Sequence, residues 1–153
     1  MIDQLFIIPY ARAMNEREEQ TLLNHLRDFF TSWESHGRNL KAAAEIAEKR
    51  FLIIKDFGSE SSGCSKDRLF REIETIHQKI GLQQADSALF FVESDGEILG
   101  LKRKELIQML ENKKLGKANL LFPTWISDSE GFQNLWKKPL QNFPQLLPGK
   151  DLV

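Results

Sequence analysis

The sequence predicts an α+β fold, a single layer of mixed, mostly antiparallel sheet with about three helices packed on it. Short apolar runs at residues 5–8 and 51–54 have the length of buried strands. Asp95-Gly96 lies between two apolar runs, which is a strong hairpin signal. Longer segments carry apolar residues at helical spacing. Hairpins therefore replace most of the helical crossovers that a parallel sheet would need.

The first strand is predicted at residues 5–8, closed by Pro9, and the first helix at about residues 15–33. Asn15 is a favourable N-cap, and Glu18 three residues later completes the pattern of a capping box. One face of this helix carries an apolar stripe that we expect to pack on the sheet: Leu22, Leu26, Phe29 and Trp33.

Residues 40–48 are ambiguous. Their intrinsic propensity is helical, yet they run without a breaker into the apolar strand at residues 51–54. Local signals leave both a helix and a strand open for this segment.

The second helix is predicted to follow the small, polar loop of residues 58–63. Ser65 is a favourable N-cap, and Asp67 in the first turn suits the helix macrodipole. Gly81 is expected to end the helix after a buried stripe formed by Leu69, Ile73, Ile76 and Ile80.

The remaining chain is predicted to contain a hairpin of residues 88–92 and 97–101, a helix at residues 102–114 and a strand at residues 118–122. Four of the five prolines lie from residue 123 onward, so this segment should wrap the core in short pieces. We expect it to be part of a single domain of residues 1–153, a lid closing one end of the core, with an interaction tail as the alternative.

Composition restricts the class of protein. The chain has 153 residues, one cysteine and a formal net charge of −1. One cysteine cannot form an internal disulfide, and no signal peptide or membrane-spanning run is recognisable, so a cytoplasmic location is predicted. The balanced charge argues against nucleic-acid binding, and the basic third helix fits a solvated face. The sequence does not indicate an oligomeric state.

Cys64 is the most informative residue for function. A thiol at a helix N-terminus faces unpaired backbone N–H groups, which stabilise a thiolate and also bind anions. His36, at the predicted end of the first helix, is a candidate base or a capping residue. Cys64 and His36 are therefore candidate catalytic residues, while a small buried hydrophobe or the wall of a binding pocket are the other interpretations of the cysteine. The candidate ligand-binding residues are Trp33, Asp56, Ser62, Gly63, Ser65 and Asp67.

The sequence contains no recognisable motif for binding a metal ion or a nucleotide. No two histidines, and no histidine with the cysteine, stand at a usual ligand spacing, so no metal site is predicted. A phosphate loop and a dinucleotide-binding glycine pattern are both absent from the sequence, so no cofactor is predicted.

Four motifs occur in order along the chain: Trp33-x-x-His36-Gly37, Ala44-Glu45-Ile46, Arg50-Phe51-Leu52-Ile53 and Ser62-Gly63-Cys64-Ser65-x-Asp67. In these motifs the sequence resembles a family of small uncharacterised Bacteroidetes proteins, some of which carry the label ABC transporter ATPase. The resemblance implies a strand at residues 45–46 and hence a hairpin turning near residues 48–50. It implies no activity, and the missing phosphate loop does not support the ATPase label.

Three functions are consistent with these observations. The first is binding of a small or anionic ligand in a pocket around Ser62-Gly63-Cys64-Ser65. The second is a cysteine-dependent enzyme, with Cys64 as nucleophile and His36 as base. The third is an interaction adaptor that uses the C-terminal segment rich in tryptophan and proline.

Overall fold

The computed structural model describes residues 4–35, 37–57 and 63–149. Its strands are β1 (Gln4–Pro9), β2 (Glu34–Ser35), β3 (Arg38–Asn39), β4 (Lys41–Ala47), β5 (Phe51–Phe57), β6 (Phe90–Ser94), β7 (Glu97–Leu101), β8 (Leu120–Phe122) and β9 (Lys138–Pro139). Its α-helices are α1 (Glu16–Phe30), α2 (Gly63–Ile80), α3 (Arg103–Glu111) and α4 (Ser129–Leu135), and two short 3-10 helices follow at Leu140–Asn142 and Pro144–Leu146.

The predicted α+β class and the antiparallel strand pairing are confirmed. Within the described residues the strands are divided among three sheets, in the orders β1-β5-β4, β2-β3 and β7-β6-β8-β9. The chain forms two compact units. The N-terminal unit takes in the described residues up to Ala85 together with Ile126–Ser129, and the C-terminal unit takes in Asp86–Trp125 and the described residues from Glu130.

The N-terminal unit is built on the sheet β1-β5-β4, with β5 in the centre. Alternation along the strands places Leu52 and Ile54 of β5 on the face that shares a core with α1 and α2. The buried residues of this core include Leu22, Leu26 and Phe29 of α1, Leu69, Ile73 and Ile76 of α2, Ile8, Leu52 and Ile54 of the sheet, and Tyr10 and Trp33 of the connecting chain. The predicted apolar stripes are therefore the helix faces that the sheet buries.

The predicted capping box at the start of α1 is confirmed. The side-chain oxygen of Asn15 accepts the Glu18 N–H at 2.8 Å, and the Glu18 carboxylate accepts the Asn15 N–H at 3.0 Å. Hydrogen bonds to the Glu18 carboxylate, chiefly from Arg12, lower the pKa of Glu18 to about 2. The helix ends at Phe30, earlier than the predicted residue 33, and Trp33 follows it in non-helical chain while still buried in the same core.

The ambiguous segment is a strand hairpin, as the resemblance implied. β4 and β5 pair in register from Lys41↔Phe57 to Ala47↔Phe51. The turn uses positive φ at Glu48 and Lys49, and Arg50 then donates from Nε to the Tyr10 carbonyl at 3.1 Å while Tyr10 N–H donates to the Arg50 carbonyl at 2.9 Å. These reciprocal bonds join the end of β1 to the β4–β5 turn.

The second predicted helix is confirmed, but its start is not at the predicted N-cap. α2 begins at Gly63, so Ser65 lies inside the first turn instead of preceding it. Its hydroxyl donates to the Glu34 carbonyl, which lies outside the helix. Gly81 follows the last helical residue with φ of 70°, the left-handed conformation predicted for a glycine stop.

The C-terminal unit is built on the sheet β7-β6-β8-β9. The predicted Asp95-Gly96 hairpin joins β6 to β7, with positive φ at both turn residues. The chain after residue 123 contributes buried side chains to the core of this unit, Leu140, Phe143 and Leu146. Trp136 stacks on Phe132, with ring centroids 5.1 Å apart.

Candidate functional site

Cys64 lies in the first turn of α2, with its side chain exposed and its thiol free. The interpretation of this cysteine as a small buried hydrophobe is therefore wrong. Gly63, the residue before it, is exposed as well. Both candidates are accessible to a molecule in solution.

Trp33 and Ser65 are brought together, but as buried residues that hold the start of α2 in place. The Trp33 indole Nε1–H donates to the Ser65 carbonyl at 2.9 Å, and the Ser65 hydroxyl donates to the Glu34 carbonyl at 2.9 Å. Trp33 is fully buried and Ser65 is 5% exposed. These two hydrogen bonds join the first turn of α2 to residues 33–34.

Ser35 is the residue of this region that sequence reasoning missed. It is 5% exposed, and its hydroxyl oxygen is buried with no hydrogen-bond partner among the described residues. It is one residue away from Glu34, whose carbonyl contacts Ser65, and its cross-strand partner is the exposed Arg38. Buried hydroxyl groups in native proteins are nearly always satisfied, so this one requires an explanation. A single serine in a two-residue strand gives no sequence signal.

Asp56 is fully buried on the central strand β5, on the same face as Leu52 and Ile54. Its register partners are Gln4 of β1 and Ala42 of β4. The carboxylate is thus positioned by the sheet, at the end where the inner face changes from apolar to polar.

Asp67 is exposed on α2 and lines a shallow depression of about 540 Å³ together with Phe70, Arg71 and Glu74. Phe70 is 42% exposed and packs edge-to-face on Phe6, with ring centroids 5.5 Å apart. Two carboxylates and one guanidinium surround this depression, so it does not select an anion by charge.

His36 and Ser62 lie outside the described residues. The pairing of Cys64 with His36, and the part of Ser62 in a ligand site, therefore stay predictions. Among residues 4–35, 37–57 and 63–149, no group of three or more histidine, cysteine, aspartate or glutamate side chains could hold a metal ion. No helix in those same ranges is both long enough and apolar enough to cross a bilayer.

A buried polar pair, Tyr10 and His77, lies in the core of the N-terminal unit. The Tyr10 hydroxyl is 2.6 Å from His77 Nε2, and the two side chains are 0% and 4% exposed. Burial raises the pKa of Tyr10 and lowers the pKa of His77, the latter opposed in part by the charge of Glu74. Both side chains are therefore neutral near pH 7, and the hydroxyl and Nε2 share one hydrogen bond whose donor depends on the imidazole tautomer. No local pattern links residues so far apart in sequence.

No protein-family model, curated protein or solved structure matches this chain. Its function has to be inferred from the chemistry of its own residues.

Proposed function

We propose that the protein is a cytoplasmic binding protein whose N-terminal unit takes a small anionic ligand at the start of α2. The observation that carries this proposal is the buried Ser35 hydroxyl, which has no hydrogen-bond partner among the described residues. A ligand oxygen reaching this hydroxyl would satisfy it.

The start of α2 supplies the electrostatic attraction. The first four N–H groups of a helix have no intrahelical partner, and they carry the positive end of the macrodipole. α2 is 18 residues long, and its first turn presents the exposed Gly63 and Cys64. Small side chains at these positions let an anion approach the backbone closely. Arg38, across the β2–β3 pair from Ser35, adds a positive charge to the same region.

The site is also held in place before a ligand arrives. The bonds from Trp33 to Ser65 and from Ser65 to Glu34 join the first turn of α2 to the segment that carries Ser35. A preformed arrangement loses less conformational entropy on binding, which favours affinity for a small molecule.

The proposal is tested with Ser35→Ala and a panel of phosphate- and carboxylate-bearing metabolites at constant ionic strength, measured as the shift in Tm. Without ligand, Ser35→Ala should be as stable as the wild type or more stable, because it removes a buried polar group that has no partner. With the metabolite that stabilises the wild type most, the Tm shift should fall in the variant. Wild-type shifts retained in Ser35→Ala, or no shift with any anion, would contradict the proposal.

Two variants at Cys64 distinguish the effect of a negative charge on ligand binding from the effect of a changed side chain. Cys64→Asp places a carboxylate in the first turn, which suits the macrodipole and should preserve the helix while it competes with an anion. Cys64→Ser is the matched neutral control and should keep the ligand-induced shift. Equal binding by both variants would place the ligand elsewhere.

A second candidate, a cysteine-dependent enzyme with Cys64 as nucleophile and His36 as base, is favoured by the exposure of the thiol at a helix start. Its test is the rate of alkylation by iodoacetamide near pH 6. A reactive thiolate would be modified rapidly in the folded protein and slowly after unfolding. A folded-state rate no faster than that of a free thiol would reject this function.

A further inference from the structure

The C-terminal unit contains a cavity of about 440 Å³ that the proposed anion site does not use. Nine residues line it: Leu110, Lys113, Lys114, Leu115, Gly116, Lys117, Asn119, Leu147 and Pro148. They come from the end of α3, the loop that leads to β8, and the chain after the second 3-10 helix. The volume lies within the range of small-molecule sites, about 300–1,000 Å³.

The charged side chains that line this cavity, named the lysine cavity below, are all positive. Three lysines line it, Lys113, Lys114 and Lys117, and none of the nine lining residues is acidic. In the described part of the chain, none of these three ammonium groups is within salt-bridge distance of a carboxylate. Such a cluster attracts anions, because no neighbouring negative charge cancels its potential.

The rest of the wall is apolar. Leu115 is 3% exposed and belongs to the core of the unit, while Leu110 and Leu147 pack against that core with part of their surface still accessible. Pro148 completes this side. An anion without an apolar part would leave this surface in contact with water, so the lining fits a molecule that carries both.

The loop that carries the lysines is fixed by hydrogen bonds. Lys114 N–H and Leu115 N–H both donate to the Met109 carbonyl, and Gly116 N–H donates to Asn119 Oδ1 at 2.8 Å. The Asn119 side-chain amide in turn donates to the Glu93 carbonyl of β6 at 2.9 Å. The backbone that forms this part of the cavity wall is therefore held in place by these hydrogen bonds.

Helix capping explains part of this cluster. Lysines just after the last turn of α3 interact favourably with the negative end of the helix. This accounts for Lys113 and Lys114, which follow the C-cap Asn112. It does not account for Lys117, six residues after the helix ends at Glu111, nor for the return of Leu147 and Pro148 to the same cavity.

We propose that the lysine cavity binds an amphiphilic anion, a molecule in which a carboxylate or phosphate head group is joined to an apolar chain. The head group lies among the three ammonium groups, and the chain lies against Leu110, Leu115, Leu147 and Pro148. This ligand class and this site are independent of the anion site at the start of α2.

The test uses the full chain and titration calorimetry with four ten-carbon probes: decanoate, decyl phosphate, decanol and decyltrimethylammonium. Decanoate or decyl phosphate should bind, and the stronger of the two identifies the head group. Decanol and the cationic probe should bind at least about tenfold more weakly, the factor expected for losing two or three exposed charge interactions. Equal binding of decanol, or no binding of either anion, would overturn the proposal.

A charge-matched pair of variants locates the binding. Lys113→Gln/Lys114→Gln/Lys117→Gln should weaken binding of the anionic probes about tenfold. The control, Lys41→Gln/Lys79→Gln/Lys104→Gln, removes the same charge from exposed positions outside the cavity and should leave binding within about twofold. An equal loss in both variants would show a general charge effect and reject the site. All six lysines are exposed, and circular dichroism checks that both variants are folded.

Discussion

Replacing Tyr10 with phenylalanine should destabilise the N-terminal unit through the histidine that it leaves behind. The substitution removes only the hydroxyl, which is 2.6 Å from His77 Nε2. The aromatic ring and its edge-to-face contact with the imidazole, with centroids 5.1 Å apart, are kept. What changes is that a buried imidazole nitrogen loses its hydrogen-bond partner.

The magnitude follows from burial. His77 is 4% exposed, so water cannot easily replace the lost hydroxyl. A buried polar group left without a partner costs about 1–3 kcal/mol, and we expect Tyr10→Phe to lower the free energy of unfolding by this amount. His77→Leu should cost a similar amount, because it leaves the Tyr10 hydroxyl buried without its hydrogen-bond partner. Removing both polar partners should cost less than the sum, with a coupling of about 1 kcal/mol or more.

The assay is urea unfolding at pH 7.5, followed by the fluorescence of Trp33, which is fully buried in the N-terminal unit. Trp125→Phe and Trp136→Phe in every protein of the cycle make Trp33 the sole tryptophan reporter. Strict additivity of the two single substitutions, or a Tyr10→Phe protein as stable as its parent, would show that the two side chains are not coupled by a water-excluded hydrogen bond.

Two further predictions concern stability. Because burial lowers the pKa of His77, the unfolded chain binds its proton first, near its ordinary pKa of about 6.5. The free energy of unfolding of the wild type should thus fall as pH drops below about 6.5, and His77 contributes at most about 1.4 kcal/mol per pH unit to this fall. The fall between pH 7.5 and 5.5 should be weaker in His77→Leu, and the difference between the two proteins measures the contribution of His77. Asn15→Ala should lower the free energy of unfolding by about 1 kcal/mol, because it removes the capping box. Gln20 is exposed on the same helix, and Gln20→Ala should be nearly neutral. Similar losses in both variants would contradict a capping effect.

Features encoded within a few residues were predictable from the sequence. The capping box of Asn15 and Glu18 and the Asp95-Gly96 turn each depend on a short pattern with a direct physical cause. Residues 40–48 were not settled locally, because the preference for a strand comes from pairing with β5 along seven positions. Tertiary pairing overrides helix propensity there.

Other features could not be predicted because they depend on distant residues. The Trp33 indole donates to the Ser65 carbonyl, 32 positions away in sequence, and the Ser65 hydroxyl donates to the Glu34 carbonyl. Ser65, predicted as an N-cap, therefore joins the first turn of α2 to residues 33–34. The lysines after α3 fit a solvated face in the sequence. They line a cavity because Leu147 and Pro148, about thirty residues later in the chain, lie beside them and form part of its wall.

The reciprocal bonds between Tyr10 and Arg50 have a kinetic consequence. β4 and β5 are neighbours in sequence and can pair early, whereas β1 reaches β5 only after about forty residues of chain close into a loop, an entropic cost of several kcal/mol. The backbone and guanidinium bonds at Arg50 meet β1 where it joins the hairpin turn. We expect this contact to form late, so that weakening it speeds unfolding while the folding rate changes little.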